Sequence, residues 1–109
     1  MRAFFLTAVL VAGLALALPA DAADLALGEN VYGKRCASCH AADGRGDAKM
    51  AEILKVSISD LRATTKSDQE LRTVISKGKP PMPAFEKQLS SDELQAVVAY
   101  VKSLTKGGS

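Results

Sequence analysis

Two cysteines and the one histidine of this 109-residue chain stand together as Cys36-Ala37-Ser38-Cys39-His40. Each thiol can add across a vinyl group of haem to form a thioether. A gap of two residues lets both sulfurs reach their vinyls from one helical turn. A histidine directly after the second cysteine falls under the iron and can serve as its proximal ligand. Other chemistries fit less well. A disulfide would suit an oxidising compartment, but C-x-x-C closes too short a loop to staple much and leaves the histidine idle. A thioredoxin-like dithiol needs a βαβ setting, and the sequence shows no strand-like alternation. A zinc site needs four ligands, against three Cys and His in all. We read Cys36 and Cys39 as covalent anchors of one haem c, and His40 as the proximal iron ligand.

The second axial position cannot go to another histidine. The methionines are Met1, Met50 and Met82. Met50 stands in a stretch that reads as helix and resembles an ordinary half-buried methionine. Met82 lies in Lys79-Pro80-Pro81-Met82-Pro83-Ala84-Phe85. Prolines on both sides limit the conformations lost when the loop orders. A thioether is a weak, neutral ligand, so a preorganised loop helps to keep it on the iron, and its ligation raises the potential. Met82 is therefore the expected distal ligand, over Met50 or an open site.

The elements that must position these groups read as helices. Leu25, Leu27, Val31, Tyr32 and Arg35 fall in one stretch, with Asp24 as a candidate cap and Cys36 in the last turn. Asp43, Gly44 and Gly46 mark a turn, and a short helix is expected over 48–56. Ser67-Asp68-Gln69-Glu70 is a capping box ahead of Leu71, Val74 and Ile75, with Gly78 as the stop. Ser90-Ser91-Asp92-Glu93 is a second box, ahead of Leu94, Val97, Val98, Val101 and Leu104. Gly107-Gly108-Ser109 reads as a frayed end. The expectation is an all-α domain of three to five helices with an irregular proline segment.

Composition bounds the rest. Apolar residues make up 48% of the chain, and 17 of them fall in residues 1–22. That segment has a basic start at Arg2, an apolar run over 3–18, and Ala20 and Ala22 at the positions a signal peptidase reads. Sixteen residues are short against the roughly 20 that span a bilayer. We expect a signal peptide over 1–22 cleaved after Ala22, a domain over 23–109, no integral membrane span after cleavage, and a periplasmic location. A net charge of +2 is too mild to imply nucleic acid as a partner. Residues 23–109 hold three aromatics, Tyr32, Phe85 and Tyr100, and no tryptophan. So small a domain often needs a staple or a cofactor to complete its core.

Residues 24–105 resemble the class I monohaem c-type cytochromes. The resemblance is carried by Gly28 and Tyr32 ahead of Cys36-Ala37-Ser38-Cys39-His40, by Asp43-Gly44-Arg45-Gly46, by Met82-Pro83-Ala84-Phe85 and by Val97-Val98-Ala99-Tyr100-Val101. It implies the cytochrome c fold, with the first and last helices crossing around one covalent haem, Gly28 against Tyr100 and Tyr32 against the Val97 side. It implies an electron-transfer protein rather than an enzyme, a monomer that meets redox partners transiently. The alternative is a haem c protein with a labile sixth ligand, acting as a sensor or catalytic subunit. Lys34, Lys77, Lys79 and Lys87 flank the ligand segments as a candidate docking rim. One departure stands out. The family often places a proline whose carbonyl orients the proximal histidine, and here no proline lies between His40 and Pro80. The segment 55–61 occupies that place, and some other carbonyl must serve.

Overall fold

The structure, a computed structural model, describes residues 20–107 and, apart from them, Ala3. Five α-helices follow in order: α1 (Ala20–Arg35), α2 (Ala37–His40), α3 (Ala48–Leu54), α4 (Asp68–Lys77) and α5 (Ser91–Gly107). A 3-10 turn, Leu61–Ala63, stands between α3 and α4. The described residues contain no strand, and the all-α expectation holds. Both capping boxes form. Ser67 accepts from the Glu70 N–H while the Glu70 carboxylate accepts from the Ser67 N–H. Ser90 and Glu93 repeat the exchange at 3.1 and 3.0 Å.

Three boundaries differ from expectation. Asp24 is not a cap, because α1 already runs from Ala20 through an alanine-rich turn of good helix formers. Helix α3 ends at Leu54 rather than 56, where Lys55 adopts a left-handed conformation. Gly107 belongs to α5, while Gly108 and Ser109 lie outside the described residues. The expected leader also lies outside them, apart from Ala3 and Ala20–Ala22. No described helix is long and apolar enough to cross a membrane.

Helix α5 is the hub. It packs against α1, α4 and the 3-10 turn, and its Ala96 and Val97 are wholly buried. Val31 and Tyr32 of α1, Leu71 and Ile75 of α4, Phe85, and Val97, Val98 and Val101 of α5 form one core cluster. Leu25 and Leu27 stay exposed, so the buried face of α1 begins at Gly28. A methyl group on Gly28 would lie 2.2 Å from the Ala96 carbonyl oxygen and 2.8 Å from Cβ of Tyr100. The missing side chain is what lets α1 and α5 touch along their backbones. The rings of Tyr32 and Tyr100 lie 5.2 Å apart, tilted at 54°. Tyr32 thus meets both the expected Val97 cluster and Tyr100.

Gly28→Ala should cost about 2–3 kcal/mol, because the helices must part to admit a methyl group. Gly33 lies on the same helix with nothing within 4 Å of its would-be Cβ. Gly33→Ala should instead stabilise by about 0.5–1 kcal/mol. Denaturant unfolding of the two haem-loaded variants measures the contrast, and equal effects would mean that α1 and α5 do not touch at Gly28.

Candidate haem centre

The chain stays nearly helical through the cysteine–histidine segment. Cys36 breaks α1 from α2 with φ −118° and ψ −36°, and a single turn, Ala37–His40, follows. Cys36 and Cys39 are three positions apart, so they share one face of that turn. Both are free thiols and half-buried.

One turn leaves its last carbonyls without helical partners. The loop that follows folds back to supply them. The Asp47 N–H donates to the Cys39 carbonyl at 2.8 Å, the Gly46 N–H to the His40 carbonyl at 2.8 Å, and the Gly44 N–H to the Ala41 carbonyl at 3.2 Å. The Tyr32 hydroxyl donates to the same Ala41 carbonyl at 2.6 Å. Burial holds the Tyr32 hydroxyl well above the usual tyrosine range, so it remains a donor at neutral pH.

His40 is half-buried. Its Nδ1 is fully enclosed and makes no hydrogen bond of normal geometry. Burial pushes the imidazole below its ordinary pKa, and the Ser59 backbone pulls it partly back. This influence of the Ser59 backbone was not recognisable in the sequence, since a main-chain group carries no residue signature.

The segment that follows Ser59 is tied down. Asp60 and Arg62 form a two-pronged pair at 3.0 and 2.8 Å, and Asp60 also accepts from the Arg62 N–H at 3.0 Å. The Leu61 N–H donates to the Gly44 carbonyl at 2.7 Å, joining this segment to the loop after His40. Asp43 pairs with Arg45 beside it at 3.0 Å.

Met82 sits in a main-chain lasso. Lys79 and Met82 exchange both N–H···O bonds, at 3.0 and 2.8 Å. The Phe85 N–H donates to the Ile75 carbonyl at 3.0 Å and the Glu86 N–H to the Ser76 carbonyl at 3.2 Å, so the loop returns onto the end of α4. Gly78, at φ 76°, admits it: a Cβ there would lie 2.7 Å from the Ala84 nitrogen and 2.9 Å from the Met82 carbonyl oxygen. Met82 is half-buried and packs on the core cluster, as Cys36 does. Met50, on α3, is not among the residues that do. Helix α3 buries none of its residues, packs chiefly on α2, and leaves Ile53 61% exposed and Leu54 37% exposed. Two cysteines on one face of a turn, an enclosed histidine nitrogen without a partner and exposed apolar side chains on the neighbouring α3 fit a large flat apolar group bonded to this turn.

Comparison with known proteins agrees. Residues 23–101 match the family described as cytochrome c oxidase, cbb3-type, subunit III. The chain is 38% identical over 87 residues to cytochrome c6 of Leptolyngbya boryana, covering 79% of this chain and 99% of that one. It is 32% identical over 102 residues to cytochrome c6 of Gloeothece citriformis, covering 93% and 90%. It is 36% identical over 88 residues to the cytochrome bc1 complex cytochrome c subunit of Corynebacterium diphtheriae, spanning 76% of this chain and 28% of that longer protein. The chain belongs to the small monohaem c-type cytochromes. This cytochrome carries one covalently bound haem c and has the all-α cytochrome c fold. It is an electron carrier and not an enzyme.

The Asp60–Arg62 pair gives the cytochrome a pH-dependent brace. Hydrogen bonding from Arg62 holds the Asp60 carboxyl below its ordinary range. A depressed folded-state pKa contributes stability above the unfolded value, roughly 3.9, and loses it as pH falls through the folded one. Parent protein should therefore be more stable than Arg62→Gln at pH 6–7. The gap should close as pH falls below about 4. Denaturant midpoints measured across that range test it, and a gap that persists at the lowest pH would assign the effect to packing of the arginine.

Proposed function

We propose that this cytochrome is a periplasmic one-electron carrier in which Cys36 and Cys39 bind the haem, His40 is the proximal iron ligand and Met82 the distal one. The observation that carries the reading is the placement of Met82 on the same core cluster as Cys36, in a loop closed by its own main chain. Met50 has neither property. When bound, the haem supplies the one-electron couple. The chain's work is to hold it. Nδ1 of His40 is enclosed by the chain, which leaves Nε2 as the ring nitrogen for the iron. The Lys79–Met82 exchange and the Gly78 contact confine the Met82 side chain before it ligates, which lowers the cost of keeping so weak a ligand in place. With His40 and Met82 both engaged, the chain would leave no open coordination position for a substrate.

Location and partners rest on other features. The leader-like composition of residues 1–22 supports cleavage after Ala22. Such a cut shortens α1 but spares its packed face, which begins at Gly28. The family match begins at residue 23, which suits the same cut. Lys34, Lys79 and Lys87 are exposed and make no ion pair among the described residues, whereas Lys77 is held by Glu86 at 2.8 Å. Three unpaired cations near the ligand segments support transient docking on acidic redox proteins.

Met82→Ala should abolish the weak far-red absorption of the ferric protein and allow ferrous protein to bind carbon monoxide. Survival of that band would remove Met82 as the ligand. Carbon monoxide binding by the untreated parent would favour the sensor reading. Electron transfer to an acidic partner should slow as ionic strength rises, and a flat dependence would remove the lysine rim. The Cys36→Ala/Cys39→Ala chain should retain no haem after acidic solvent extraction and should melt without cooperativity. A sharp native-like melt would show that the core closes without the cofactor.

A further inference from the structure

Ala41 follows His40 directly, and its backbone sits at φ 65°, ψ 162°. Glycine occupies that region almost alone, and another residue persists there only where its surroundings over-determine it. The surroundings here are explicit. The Ala41 N–H donates to the Ala37 carbonyl at 2.9 Å, and the Ala41 carbonyl accepts from the Gly44 N–H at 3.2 Å. The third restraint is the Tyr32 hydroxyl at 2.6 Å, the shortest of the three and the one that comes from another helix. Tyr32 is 2% exposed, and its ring is fixed by Tyr100 and the α1–α5 packing. A hydroxyl anchored so firmly can hold a strained link that a mobile donor could not.

We propose that Tyr32 is the positioning residue for His40: by gripping the Ala41 carbonyl, its hydroxyl keeps Ala41 in a glycine-like conformation and so fixes the direction in which His40 leaves the backbone and the plane of its ring. The proposal rests on the reading of His40 as the proximal ligand. Nδ1 of His40 has no closed hydrogen bond of its own, so the ring lacks the restraint that usually sets its orientation. The backbone behind the ring therefore carries more of that task. The grip also ties the ligand to the helix crossing, because the same tyrosine that packs against α5 holds the turn after His40.

The test uses the haem-loaded full chain as parent, Tyr32→Phe, Ala41→Gly and the double variant. Phenylalanine keeps the ring and removes only the donor. Tyr32→Phe should shift the ferric electron-paramagnetic g values and the reduction potential, and lower the folded-to-unfolded ratio about tenfold. In the Ala41→Gly background the same change should cost less than about threefold and leave the g values near those of the parent, since glycine holds this conformation unaided. Unmoved g values and potential in Tyr32→Phe, or stability effects that simply add in the double variant, overturn the proposal and leave the hydroxyl as a satisfied buried group. A parent spectrum without histidine–methionine ligation overturns the ligand reading and this proposal with it. An intact parent signature that Tyr32→Phe does not move overturns this proposal alone.

Discussion

Cys39, His40 and Ala41 send three successive carbonyls out of a one-turn helix, and each is met from outside it. A buried carbonyl without a partner costs on the order of 1–3 kcal/mol, so a turn this short must be completed by tertiary structure. Gly44, Gly46 and Asp47 provide most of that completion, and the glycines do so at φ 86° and 96°, where side chains are strained. Leu61 then bonds to Gly44, and the 3-10 turn that follows packs on α5. From one unsatisfied helix end, the chain is led by hydrogen bonds to the hub of the fold. The haem-bearing turn is thereby fixed to α5 from two directions, through α1 and through the loop.

The rigidity of α5 matters because the domain is small. Its core draws on valines, two leucine-sized side chains of α4, and two rings, Tyr32 and Phe85. Close backbone approach at Gly28 partly compensates, since it lets α1 and α5 bury one another along their length. Helix α3 has no such partner. Its Ile53 and Leu54 are exposed, apolar surface that a covalent cofactor can cover. That is the physical sense of a covalent cofactor here: it supplies apolar bulk to a fold in which residues 23–109 hold three aromatics.

What was legible in the sequence was local. Cys36-Ala37-Ser38-Cys39-His40 announces its chemistry by spacing, and the two capping boxes announce α4 and α5 because every bond in them lies within four residues. The Gly28–Tyr100 contact was expected from the family resemblance, and the structure places it there. The start of α1 was misplaced at Asp24, because an acidic residue can cap a helix or simply ride on one. Ser59 was invisible, since it acts on His40 through its backbone, which every residue possesses. Ala41 was equally silent: its conformation is imposed by Tyr32 and Gly44, residues nine positions upstream and three downstream. The backbone that aims the histidine is a tertiary property, and periodicity does not encode it.

The two sides of the proposed haem site are built on opposite principles, and the difference follows from ligand strength. On the proximal side the thioethers of Cys36 and Cys39 hold the group covalently, so His40 needs aim rather than affinity. Strain at Ala41 is tolerable there, because covalent attachment prevents the strain from being relieved by dissociation. On the distal side no covalent bond would hold the proposed ligand, Met82, to the group. A strained loop would push a weak thioether off the metal, and the chain instead closes Lys79 onto Met82 and seats the loop on Ile75 and Ser76 through relaxed main-chain bonds of 2.8–3.2 Å. Gly78 takes the positive φ at that corner, so no side chain bears the distortion. Placing the strained alanine beside the covalent anchor and the glycine beside the weak ligand lets a small domain orient one axial group and retain the other.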